Sequence, residues 1–264
     1  MHTSSTLSAW LIVTVIFAST APSQDFEAAK KHCLSQDPNE SISACTILIH
    51  SFDLPIEVKA VAFSNRGYAY QQKNDFDRAI ADYSQAIRMK PDHAIAYNNR
   101  GYVYQQQRRY DDALADYDQA IRLKPDYAVA FNNRGNTHDS RGEYAAAIQD
   151  YSRAIELNPN DARTYHNRGS AYMHMGEYER AIQELDRSIQ LDPAKAETFY
   201  DRGIALHKTG RYPDAIRDYD TALKLNPKYP QACYNRGLAK IKNGDKAGGT
   251  ADIALAKQME SMNP

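Results

Sequence analysis

From residue 60 onward, apolar and small side chains recur in stripes separated by polar stretches. Phe76, Ala79, Tyr83 and Ala86 form one stripe, Tyr110, Ala113, Tyr117 and Ala120 the next, and Tyr144, Ala147, Tyr151 and Ala154 a third. Steps of three, four and three residues draw one face of an α-helix. A second stripe precedes each of these, through Phe63 and Gly67, Tyr97 and Gly101, and Phe131 and Gly135. Between the two stripes stand Gly142, Gly176, Gly210 and Gly244 in the later copies, suited to the left-handed residue that ends a helix. Pro91, Pro125, Pro159, Pro193 and Pro227 close the second stripe, because proline cannot continue the hydrogen-bond ladder. The pattern predicts an antiparallel helix pair per copy.

The copies keep one period. Asn-Arg-Gly stands at 65–67, 99–101, 133–135, 167–169 and 235–237, with Asp-Arg-Gly at 201–203, always 34 residues apart. With Pro91 as position 32, the units run 60–93, 94–127, 128–161, 162–195, 196–229 and 230–263. Helix A is then expected at about positions 2–14 and helix B at about 17–30. Such a period means one supersecondary unit that buries its apolar face only against its neighbours, an all-α solenoid. Small residues at positions 8 and 20 mark where two helix axes come close.

These residues resemble the tetratricopeptide repeat (TPR) family: 34 residues, small side chains at 8, 20 and 27, aromatics at 4, 11, 17 and 24, and proline at 32. The resemblance covers 60–229 closely and 230–263 more loosely, and it implies a right-handed superhelix with helix A lining a concave face. Two departures stand out. Position 4 is Phe63, Tyr97, Phe131, Tyr165, Phe199 or Cys233 instead of the family's frequent Trp, and position 7 is always Arg where the family has Leu. Position 23 is acidic throughout: Asp82, Asp116, Asp150, Glu184, Asp218 and Asp252. We read the arginine as the structural partner of that acid, its stem packed and its charge satisfied. A row of ligand-binding arginines is the alternative.

Residues 24–59 lack the motif. Extending the register back one unit puts Cys33 at position 8 and Cys45 at position 20, the pair of closest approach, within reach of a disulfide. The expectation is a degenerate N-terminal hairpin stapled by Cys33–Cys45; the alternative is two buried free thiols. Cys233 falls at a packing position and reads as a buried thiol. At the other end Lys246, Gly249 and Ser261 replace the aromatic, alanine and proline, as a terminal cap with a more polar outer face would. Gly248-Gly249 marks its second helix as the least stable.

Composition bears mainly on partners and location. With 32 Lys plus Arg against 33 Asp plus Glu, the net charge is −1, which gives no basic surface for nucleic acid. Nineteen tyrosines suggest helix packing with hydroxyls at the rim. Residues 7–18 form the one long apolar run, too short for a bilayer span of about 20 residues. Followed by Ala21-Pro22-Ser23, it reads as a signal peptide over 1–23, although the preceding segment has no Lys or Arg. A cleaved chain would be periplasmic or secreted, with no membrane insertion; an uncleaved N-terminal anchor facing the periplasm is the rival. Exported arrays built on this unit resemble bacterial ones.

The TPR resemblance implies a groove lined by positions 2, 5, 6, 9, 12 and 13. Position 6 is Asn65, Asn99, Asn133, Asn167, Asp201 and Asn235; each amide offers two donors and an acceptor to an extended peptide. The row is similar to the asparagine ladder of O-GlcNAc transferase, without that enzyme's catalytic domain. Asn98, Asn132, Tyr200 and Tyr234 at position 5 join the candidate site. The alternative is that these amides only solvate the groove or bond the next helix. The lysines of a carboxylate clamp are absent. Early units offer amides and tyrosines (Tyr68, Gln71, Tyr102, Gln105), later ones a more apolar, weakly basic surface (Met173, His174, Ile204, His207, Leu238, Lys242). No nucleophile motif or phosphate loop is present, and His138, His166, His174 and His207 read as surface histidines, although neighbouring helices could gather them. The sequence thus points to a non-catalytic interaction scaffold with no cofactor or metal, whose partner is a protein or extended peptide. A self-associating structural array, a homo-oligomer with its groove unused, is the second expectation.

Overall fold

The computed structural model describes residues 24–261, and the expected export segment over 1–23 lies outside them. Fourteen helices follow one another among the described residues: α1 (Gln24–His32), α2 (Pro38–His50), α3 (Ile56–Gln72), α4 (Phe76–Met89), α5 (Ala94–Gln106), α6 (Tyr110–Leu123), α7 (Ala128–Ser140), α8 (Tyr144–Leu157), α9 (Ala162–His174), α10 (Tyr178–Leu191), α11 (Ala196–Lys208), α12 (Tyr212–Leu225), α13 (Pro230–Lys242) and α14 (Lys246–Ser261). No strand occurs among them, and no helix there is long and apolar enough to cross a membrane. In the interior units helix A runs from position 1 to 13, one residue ahead of expectation, and helix B from 17 to 30 as expected. Two helices exceed the pattern. α3 starts four residues early behind Pro55, and α14 runs on through Ser261, where no proline stops it.

Each helix packs on the next in sequence. In addition α3 touches α5, α5 touches α7, and so on through α13, whereas the second helices of successive units do not approach one another as closely. The first helices therefore form the inner layer and the second helices splay outside it. This is the concave face that positions the candidate site.

The joints are set by local chemistry. Each A helix ends in a paired turn in which, for unit 128–161, the Glu143 N–H donates to the His138 carbonyl and the Gly142 N–H to the Asp139 carbonyl. The residue between is left-handed: Gly142, Gly176, Gly210 and Gly244, as expected, but Asn74 and Arg108 in the first two units, at φ 57° and 58°.

Position 8 must be glycine because of position 24. A Cβ on Gly135 would stand 2.8 Å from the Tyr151 ring, and Gly67 and Gly101 face Tyr83 and Tyr117 in the same way. Those three rings are fully buried with Tyr219. Their hydroxyls do not lie at the rim. They reach inward to helix A, where Tyr83 donates to Gln71 (2.9 Å), Tyr117 to Gln105 (3.1 Å) and Tyr151 to Asn136 (2.8 Å). In the last unit Gly249 is required as well, since a Cβ there would meet the Gly237 carbonyl oxygen at 2.5 Å. Its presence reflects a close approach of the α14 backbone to α13, not merely a lost alanine.

At the N-terminal end α1 packs on α2 alone. The buried sulfurs of Cys33 and Cys45 lie 2.06 Å apart, a disulfide separation, and tie the end of α1 to α2. Cys233 is buried and free, its thiol pushed up by burial.

Candidate functional site: the concave groove

The arginine of position 7 belongs to the frame and not to the groove. In all six units its Nε and Nη2 donate to both oxygens of the position-23 acid, at 2.6–3.0 Å. Such a two-point fork holds guanidinium and carboxylate in one plane. The remaining Nη1 crosses to the preceding unit, which the sequence reading missed. It reaches Ser84, Asp118, Ser152, Asp186 and Asp220 at position 25, and Thr46 in the first hairpin. Burial still raises Asp116 against the pull of Arg100. Burial acts on Asp252 in the same sense, but hydrogen bonds from Arg236 and Lys240 outweigh it and lower that carboxyl.

The position-6 row also crosses unit boundaries. Asn133 Nδ2 donates to Asn98 Oδ1 (3.0 Å), Asn167 Nδ2 to Asn132 Oδ1 (3.2 Å), and Asn235 Nδ2 to the Tyr200 hydroxyl (3.1 Å). At the one junction where the row carries an acid, His166 Nε2 faces Asp201 Oδ2 at 3.4 Å. Asn65 Nδ2 lies 3.8 Å from the Cys33 sulfur, and Asn98 donates to Asn99. In the early units position 5 is thus the underside of the ladder. Asn98 and Asn132 are buried, His166 and Tyr200 half-buried, and Tyr234 exposed. Among the candidates, position 6 remains partly accessible, and Asn133 and Asn235 each use one amide hydrogen on the neighbouring unit.

Titration follows burial. Asp201 is raised to about 7, by burial first and then by Glu197. Burial lowers His166, against Glu197. Burial raises Asp139, against His174.

Exposure reverses the apolar part of the expected gradient, while Tyr68 and Tyr102 early and His174 and Lys242 late are exposed as expected. Position 2 is Val61, Ile95 and Val129 in the first three units, all exposed, with Tyr68 and Tyr102 exposed at position 9. Met173, Ile204 and Leu238 of the later units are half-buried, and position 2 there is the exposed Arg163, Glu197 and Gln231. The apolar strip lies at the N-terminal end. The four histidines stay apart: His138 pairs with Glu143 (2.6 Å), His166 with Asp201, His174 stacks on Tyr144, and His207 meets the edge of Tyr212. No group of three or more metal-ligating residues forms among the described residues.

Comparison with known proteins agrees with this geometry. Residues 65–128 match a family model described as tetratricopeptide repeat, and 140–176, 169–210 and 205–244 match a second described as TPR repeat, together well over half of the chain. Among solved structures, the Pseudomonas aeruginosa pilF protein superposes with a TM-score of 0.68 at 19% identity, over 76% of this chain and 91% of its own. MamA superposes at 0.58 and 26% identity, over 64% and 92%. YrrB, described as a TPR protein with an unusual peptide-binding site, does so at 0.59 and 24% identity, over 72% and 96%. No curated protein matches the sequence.

Proposed function

Because the chain belongs to the tetratricopeptide repeat family, whose fold supports protein–protein interaction, we propose that its concave groove binds an extended segment of a partner protein, without catalysis. The observation that carries this reading is the strip of Val61, Tyr68, Ile95, Tyr102 and Val129, five large apolar side chains exposed on the inner layer of the first three units. A contiguous exposed apolar strip marks an interaction surface. The partly accessible amides of Asn65, Asn99, Asn133, Asn167 and Asn235 run alongside it and suit a peptide backbone. In this reading Asn98 and Asn132 support the ladder from beneath.

The test is to replace Ile95 and Tyr102 together by Glu and capture partners from the protein's own cells. Both side chains are solvent-facing, so the helical content should stay unchanged while the captured partner is lost. Capture at the wild-type level would contradict the groove reading.

The reading extends to location. Residues 1–23 are the signal peptide, 24–59 the hairpin closed by an oxidised Cys33–Cys45 pair, and 60–263 the array, working in the periplasm or outside the cell. N-terminal sequencing tests it: Gln24 is expected, and an intact Met1 favours the anchored form. One observation favours the second reading, self-association. The terminal hairpin exposes Leu34, Ile47, Phe52 (98%) and Ile56, a bare end for a solenoid. Sedimentation of Phe52→Asp against wild type separates the two: a dimer that dissociates supports association through this end.

A further inference from the structure

We propose that the pocket at the middle of the groove takes the ammonium or guanidinium of a lysine or arginine side chain carried by the bound segment. This inference rests on the groove reading above. The pocket, about 350 Å³, opens between the units 94–127, 128–161 and 162–195 and is lined by Asn136, Asp139, His166, Asn167 and Ser170 among others.

Asp139 is its distinctive member. In the two preceding units position 12 is Gln71 and Gln105, each accepting the hydroxyl of the buried tyrosine. In this unit position 9 changes from Tyr68 and Tyr102 to Asn136, and Asn136 takes the Tyr151 hydroxyl instead. Asp139 is thereby released from the packing duty of its position. Its Oδ1 is buried and has no hydrogen-bond partner among the described protein groups. A buried carboxylate oxygen in that state is costly until a donor reaches it.

The rest of the pocket offers acceptors too. Asn167 Nδ2 already donates to Asn132 and Asn136, leaving its carbonyl oxygen. The Asn136 oxygen is taken twice, by Tyr151 and Asn167. His166 faces Asp201 through Nε2, and its Nδ1 is buried without a partner. No Lys or Arg lines the pocket. A complementary group must bring several N–H donors and a positive charge, which describes a lysine or arginine side chain.

The test titrates the whole chain with three capped tripeptides, Ac-Ala-Lys-Ala-NH2, Ac-Ala-Arg-Ala-NH2 and Ac-Ala-norleucine-Ala-NH2, following the ring resonances of His166 by NMR. The basic peptides are expected to shift His166 and the norleucine peptide not to. Asp139→Asn, which keeps the shape and breaks no side-chain hydrogen bond within the protein, should weaken the basic peptides by about tenfold, the order of one lost charged hydrogen bond. Equal response to norleucine, or an unchanged affinity in Asp139→Asn, would overturn the proposal. So would a His166 shift given by Mg2+ or Zn2+ alone with none from the basic peptides. Failure here with partner capture still lost in the Ile95/Tyr102 double variant removes the pocket and keeps the groove. Capture that survives the double variant removes the groove reading itself.

Discussion

The first three units and the last three share a skeleton and differ in what they show to solvent. All six carry the arginine fork on the position-23 acid and glycine at position 8. On the inner layer, however, exposed Val61, Ile95 and Val129 give way to Arg163, Glu197 and Gln231 at one position. The difference teaches where variation is tolerated. Positions fixed by contact between helices cannot change without cost, and positions the packing leaves free diverge, so specificity is to be sought in the latter. Unit 162–195 shows the coupling within the frame: Leu185 replaces the buried tyrosine, and Glu184, one methylene longer, replaces the aspartate beside it.

Breaking the shared skeleton should have the largest effect. Arg134→Leu leaves Asp150 buried without its fork and removes the link to Asp118. A loss of about 3 kcal/mol is expected from stranding a buried charge, read as a shift of the urea midpoint, with partner binding retained in the folded fraction. A cost near zero would show that the forks are ornamental.

The next test sets glycines against one another. Gly135→Ala drives a Cβ into the ring of Tyr151, whereas in Gly169→Ala the contact at 3.0 Å is with the flexible Leu185. The first should lose about 1–2 kcal/mol to overpacking. The second should fall near neutral, since the better helix propensity of alanine, about 1 kcal/mol, offsets a milder clash. Thermal unfolding of the pair decides it, and equal losses would contradict the role assigned to the tyrosine.

The junction at Asp201 should show itself through pH. Its folded carboxyl holds a proton to about pH 7, while the unfolded one releases it near 4. Between those values the folded state binds more protons, so this residue makes stability fall as pH rises, and the penalty is complete above 7. Glu197, His166, Tyr200 and Tyr229 surround it, and His166, lowered by burial, adds the opposite slope at the acid end. The difference between wild type and Asp201→Asn isolates the aspartate. The variant should gain on the order of 2 kcal/mol at pH 8 and little at pH 4. A gain independent of pH would contradict this.

The smallest effect belongs to the turns. Arg108 takes the left-handed conformation that later units give to glycine. Arg108→Gly should stabilise by about 1 kcal/mol, with less from Asn74→Gly because asparagine tolerates that conformation. Chemical denaturation of the two single variants checks the order.

Much of this was legible in the sequence because the repeat makes packing periodic. The helix pairs, the left-handed glycines, the arginine–acid fork and the approach of Cys33 to Cys45 all follow from position within the unit. What was not legible crosses unit boundaries or depends on burial. The third arginine contact goes to position 25 of the unit before, where Ser84, Asp118 and Ser152 alternate in type, so no single residue drew attention. The inward tyrosine hydroxyls and the burial of Asn98 and Asn132 need the neighbouring helix to be placed. The apolar strip falls at the opposite end from the one the sequence suggests because Met173, Ile204 and Leu238 look like surface until the helices pack and leave all three half-buried, Met173 and Ile204 against the core around Tyr172 and Tyr219.

The central claim is that the inner layer of the early units is what the partner touches. A photo-reactive residue at Tyr102, against one at Ala115 on the outer helix of the same unit, tests it most directly in the protein's own cells. Both sites are exposed, so access does not distinguish them. The account predicts a crosslinked partner from position 102 and none from 115; a partner trapped at 115 and absent at 102 would contradict it.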